Sequence, residues 1–175
     1  MARNLAIFFD GTWNTPDEDG DHDGDTSTNV HKLYDAVRAK TTQNRKQLKW
    51  YDEGVGTRWW NKLAGGAFGC GLSKNILQGY EWLMDEYEPG DELYIFGFSR
   101  GAYTARSLVG LIRNCGVLDR NKTSKSAKKR RLEEAFQLYK AKDEGPDSPV
   151  ALKFRQEYSL ETDVACLGVW DTVGA

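Results

Sequence analysis

"YIFGFSRGAYTAR", residues 94–106, is the stretch on which the reading of the whole chain turns. An apolar run, Tyr94-Ile95-Phe96, meets a serine set between two glycines, Gly97-Phe98-Ser99-Arg100-Gly101, and a segment of helical spacing follows at once. A strand that turns sharply into a helix holds its central residue in a strained backbone conformation, and small neighbours keep the close approach free of clashes. Ser99 is therefore a candidate nucleophile, with Gly97 and Gly101 as the glycines of its elbow. The next amide, that of Arg100, would face a developing oxyanion, aided by the positive end of the new helix. The competing reading is a serine in an ordinary turn.

Three further apolar runs lie outward from this one: Leu5 to Phe9, Leu48 to Tyr51, and Val164 to Trp170. Each is nearly continuous, as expected of strands buried on both faces. Val30, Leu33, Tyr34 and Val37 form one helical stripe, and Leu72, Ile76, Leu77, Tyr80, Leu83 and Met84 another. Helices are also expected from Ala102 to Cys115 and from Leu132 to Lys142. The alternation predicts an α/β fold of three layers with a mainly parallel sheet, forming a single domain over residues 1–175.

Right-handed crossovers bring the C-terminal ends of such strands to one edge. Every run here ends in polar, glycine-bearing sequence: Asp10-Gly11-Thr12, Asp52-Glu53-Gly54, Ser99 with its glycines, and Asp171-Thr172-Val173-Gly174. Gly11 and Thr12 are candidates for the second oxyanion donor, since glycine lets the backbone approach a substrate closely. Capping of the following turn by Asp10 and Thr12 is the alternative. Asp171 is the candidate acid of a triad, against an aspartate that bonds its own loop backbone.

The base is harder to place. The chain order in this fold is serine, acid, histidine, yet the only histidines, His22 and His31, precede Ser99, and the chain ends four residues after Asp171. His31 reads as an exposed helix residue. The expectation is a truncated, N-terminal part of a hydrolase domain that carries nucleophile, oxyanion hole and acid without a base.

Bulk properties exclude other classes. A formal net charge of −2 in 175 residues argues against a nucleic-acid partner. The sequence has no run of 18 apolar residues to span a membrane, and the apolar core of the N-terminus is too short for a signal peptide, so synthesis in the cytoplasm is expected. Cys70, Cys115 and Cys166 are read as reduced, mostly buried thiols. Asp19, Asp21, Asp23 and Asp25 alternate like the first half of a calcium loop, but position twelve is Val30 where a glutamate is needed. A solvated loop and no cofactor is the preferred reading, with calcium as the alternative. Arg120 to Arg131 is read as a solvated, mobile loop, with anionic headgroups as its alternative partner. Pro146 to Pro149 is read as a linker, residues 65–71 as a lid hinge, and Trp59 and Trp60 as the rim of a cleft.

"FFDGTWN", "TNVHKLYDAV", "YDEGVGT", "GFSRGAYTAR" and "GVWDTVGA", in that order, resemble the α/β-hydrolase domain of the type VI secretion lipase effectors, the Tle-like phospholipases. The resemblance implies a serine esterase or phospholipase that cleaves glycerophospholipid acyl esters through an acyl-enzyme on Ser99, without a metal in the chemistry. It implies Asp171 as acid and the Gly11-Thr12 loop with Arg100 at the oxyanion site. Members of that family continue past "DTVG" and supply a histidine there. Implied partners are a phospholipid or other ester, a second polypeptide completing the site or a cognate immunity-type protein, and delivery is by a secretion system. The other class of function is a catalytically silent, hydrolase-like module that binds a lipid or a protein.

Overall fold

Leu5, Ile7 and Phe9 project to one side of the first strand, Ala6 and Phe8 to the other, and all five are buried. That strand consequently lies inside a sheet with apolar layers on both faces. The computed structural model describes residues 2–11, 27–54 and 68–173. In chain order its elements are β1 (Asn4–Phe9), α1 (Asn29–Ala36), β2 (Gln47–Asp52), α2 (Phe68–Glu86), β3 (Glu92–Phe98), α3 (Arg100–Cys115), β4 (Val117–Leu118), α4 (Lys128–Lys140), α5 (Pro149–Tyr158), β5 (Ser159–Leu160) and β6 (Val164–Trp170). Four strands form a parallel sheet in the order β2-β1-β3-β6, while β4 and β5 make a small antiparallel ribbon. The architecture is α/β and hydrolase-like, as the sequence predicts.

One face carries the main core, where Phe9, Ile95, Tyr80, Leu83, Leu108 and Leu111 join β1, β3, α2 and α3. α1 covers the other face through Val30, with Phe8 stacked on Phe96 at 5.1 Å and edge-on to Tyr34 at 5.5 Å. Among the described residues, no helix is long and apolar enough to cross a membrane.

Several expectations are corrected. Among the described strands of the sheet, only β1 is buried on both faces: β3 alternates buried and half-buried positions. β6 lies at the sheet edge, leaving Ala165, Cys166 and Leu167 exposed. Cys166 is thus not a buried thiol, whereas burial pushes the Cys115 thiol up to about 12. The segment after Pro146 is no mere linker, since Ser148 caps α5 by accepting the Ala151 amide at 3.1 Å and Pro149 fills its first turn. The basic stretch is ordered. Lys128 pairs with Glu81 and Asp85 on α2, and Arg131 lies over the Tyr158 ring at 3.4 Å.

The bottom of the sheet is held by a clamp. The Arg3 guanidinium meets Asp91 at 2.6 Å and the Arg3 amide donates to the same carboxylate at 2.8 Å, tying the start of β1 to the start of β3. Burial lifts the Asp91 pKa, but the Arg3 bonds and the Glu88 amide outweigh it and hold the group below its usual range. A carboxyl depressed in the fold contributes stability above its unfolded pKa and loses it as pH falls through the folded value. Asp91→Asn should cost about 2 kcal/mol near pH 6. The gap from the parent should narrow below about pH 4, a trend that urea midpoints across pH will check.

Candidate active site

Ser99 sits between β3 and α3 with φ 55° and ψ −118°. A non-glycine residue at positive φ carries a cost of about 1–3 kcal/mol unless its surroundings hold it there. Here both flanks do so. The Ser99 amide donates to the Trp170 carbonyl at 2.9 Å, and the Ser99 carbonyl accepts from Val173 at 3.3 Å and from Ala102 at 3.1 Å. The hydroxyl caps no helix amide, and no described side chain bonds it. The Arg100 amide, first of its helix, has no acceptor within that helix.

The two flanking glycines are required by contact. A β-carbon on Gly97 would stand 2.7 Å from the Ala102 Cα, and one on Gly101 would stand 2.6 Å from the Asp10 carbonyl oxygen. The tight turn therefore lets α3 press directly on β3 and β1. Ser99→Gly removes the backbone strain while adding about 0.5–1 kcal/mol of unfolded-chain freedom. A net gain of roughly 1 kcal/mol is expected in urea unfolding at unchanged m, with loss of any Ser99-dependent chemistry.

The loop after β1 is fixed from three sides. Asp10 is buried, and its carboxylate accepts from the Gly11 amide at 2.7 Å, from the Thr28 hydroxyl at 2.6 Å and from the Tyr51 phenol at 2.6 Å. Burial, then the bond to Asp10, holds the Tyr51 phenol well above its ordinary pKa, so it stays a donor. Thr28 also accepts the His31 amide at 3.0 Å, which anchors the start of α1 to the same carboxylate. Asp10 is thus more than the turn cap considered from sequence. The Gly11 amide, a candidate oxyanion donor, points to the Asp10 carboxylate in this arrangement. Thr12 lies outside the described residues.

A second carboxylate, Asp52, accepts from the Gly54 amide at 2.7 Å and from the Asn75 side chain at 3.1 Å, and burial raises its pKa. Gly54, at φ 80°, packs on the Asp10 and Gly11 carbonyls, so the β2 loop closes over the β1 loop. Asp10, Gly54, Leu72, Asn75, Arg100 and Gly101 border a gap between these elements that is too narrow to admit a water molecule. Thr28, Tyr51 and Asn75 were not singled out from sequence for this edge. Thr28, just before a helical stripe, reads locally as an N-cap; nothing local marks the other two.

Asp171 follows Trp170, the residue paired with Phe98, so it stands beside Ser99 on the neighbouring strand end. It is exposed with φ 45°, and no described side chain bonds its carboxylate. The two remaining histidine positions differ. His31 faces away from the elbow: its Nδ1 is 3.3 Å from Asp35 and its ring is edge-on to Tyr51 at 5.5 Å, on the far side of β1 from β3. His22, the aspartates at 19, 21, 23 and 25, Trp59, Trp60 and residues 65–67 lie outside the described residues.

Residues 3–175 match the family model described as type VI secretion system (T6SS) phospholipase effector Tle1-like, catalytic domain. Among curated proteins the chain is similar to the uncharacterized protein YEL023C of Saccharomyces cerevisiae. The two are 28% identical over 202 aligned residues, taking in 99% of this chain and 27% of the relative. The chain spans about a quarter of that relative's length. No solved structure matches it. Since the family match takes in β1, the elbow and the turn after β6 alike, the chain belongs to the catalytic-domain family of the Tle1-like phospholipase effectors of type VI secretion.

Proposed function

We propose that this chain carries the nucleophile and acid of a serine phospholipase. Ser99 Oγ attacks the acyl carbonyl of a glycerophospholipid ester as an imidazole takes its proton, and the carbonyl oxygen becomes an oxyanion facing the Arg100 amide. Collapse breaks the ester C–O bond, the leaving alkoxide receives the proton from the imidazolium, and water then releases the fatty acid from Ser99. Asp171 holds the imidazole in the required tautomer. The imidazole comes from outside the described residues, either from this protein or from a second polypeptide that completes the site. A cognate immunity-type protein that covers this edge, and delivery by the secretion system, belong to the same reading.

One observation supports it above the others: Ser99 is held at φ 55° by hydrogen bonds from both flanking segments while its hydroxyl bonds no described side chain. The position of His31, edge-on to Tyr51 with its Nδ1 near Asp35 but not hydrogen-bonded, favours a second reading, a silent module that binds lipid or protein. The protein as its host makes it, mixed with phosphatidylcholine vesicles, separates the two. Fatty-acid release is expected, and Ser99→Ala should reduce it to a residue of about 10³–10⁴-fold over water. Release that survives the substitution contradicts the proposal.

A further inference from the structure

Tyr103 and Ser107 follow Ser99 at four-residue steps, so they continue one face of α3 away from the elbow. Tyr103 is 36% exposed, a large aromatic left open one turn beyond the candidate nucleophile. Both residues form the floor of a groove whose walls are α2 and α4. Leu72, Ile76 and Leu77 line one wall, and Phe136 and Tyr139 the other. Its volume of about 800 Å³ falls within the range of about 300–1,000 Å³ common for ligand sites.

The groove opens toward the elbow. Lys128, at the start of α4, is bonded to Glu81 and Asp85 near the end of α2, so the two helices run antiparallel. The last turn of α4 therefore lies beside the first turns of α2. One end of the groove, which Lys74 and Lys140 line together with the apolar residues, is thus set beside the strand ends, with Leu72 shared between the groove and the tight contact at Asp10, Arg100 and Gly101. We propose that this groove binds a long fatty acyl chain, laid from Ser99 past Tyr103 between α2 and α4. The identity of the ester that bears the chain rests on the serine phospholipase reading; binding of the chain itself does not. Burial of successive methylenes, about 0.8 kcal/mol each, makes affinity rise with chain length, and the groove selects long acyl groups over short ones.

The purified chain is titrated with cis-parinaric acid, a fluorescent long-chain fatty acid, below its aggregation threshold. Saturable binding is expected, weakened at least about tenfold by Leu77→Trp, which fills the groove. Gln137→Trp, at an exposed position on the α4 wall, fills it with little demand on the fold. Circular dichroism and urea midpoints identify any variant that does not fold. Unsaturable partition, or binding unchanged in folded variants of both kinds, overturns the groove. Ser99→Ala is run beside them with a long-chain alkyl fluorophosphonate. Fatty-acid binding that persists in Ser99→Ala upholds the groove. If the parent also fails to react with the fluorophosphonate while binding persists, the groove stands and the serine chemistry falls.

Discussion

Gly101→Ala should unfold the protein or cost it at least about 3 kcal/mol, beyond the usual penalty for an added methyl group. The reason is what the β-carbon meets. It would fall 2.6 Å from the Asp10 carbonyl oxygen and nearer still to that of Phe9, and both are backbone atoms of the central strand and its exit. A flexible side chain could swing aside, but these carbonyls cannot. Asp10 is pinned by its amide to the Asp52 carbonyl at 2.9 Å, and its side chain takes three further hydrogen bonds. Relief must come from lifting α3 off β1, which opens the core around Phe9 and Leu108. Gly145→Ala is the matched control, because no atom lies within 4 Å of its β-carbon position. It should be neutral or stabilising by up to about 1 kcal/mol. Urea midpoints at constant m separate the two, and a Gly101→Ala protein as stable as the parent contradicts the packing described for the elbow.

Asp171→Asn should lower kcat by about 10⁴-fold with the fold undisturbed. Asparagine tolerates the left-handed region that Asp171 occupies at φ 45°, so the turn survives the change. No described side chain bonds the carboxylate, so little stability is lost. On the proposed mechanism, the substitution removes the charge that orients and stabilises an imidazolium beside Ser99. The comparison is made on the protein as its host makes it, with kcat on an ester substrate and the urea midpoint measured together. Unchanged kcat would mean that Asp171 serves only to bend the chain around Ser99.

Local pattern made the elbow legible. Small residues at 97 and 101 around a serine, between a strand and a helix, form a local pattern, although only Gly97 meets its neighbours within one turn of chain while Gly101 meets the distant β1 carbonyls. The parallel sheet was legible too, because its apolar runs alternate with helical stripes. The Asp10 network was not. Its side-chain donors Thr28 and Tyr51 are 18 and 41 residues away, at the N-cap of α1 and on β2, and the Gly11 amide is captured by a rotamer that no spacing reveals. The basic stretch was misread for the same reason: Lys128 finds Asp85 across 43 residues, so a run of charge that looks solvated is fastened to α2. α5 is not evident from the sequence because Pro146 to Pro149 reads as a linker, whereas Pro149 after Ser148 begins a helix. The exposure of β6 depends on its place in the sheet order, which apolar content alone does not determine.

The central claim is that Ser99 is a nucleophile displayed by a strained turn. Fluorophosphonate labelling followed by peptide mapping tests it most directly. The expected result is a single phosphonylated residue, Ser99, with labelling abolished in Ser99→Ala and prevented by prior unfolding in urea. Labelling at another residue, or labelling of equal extent in Ser99→Ala, would contradict it.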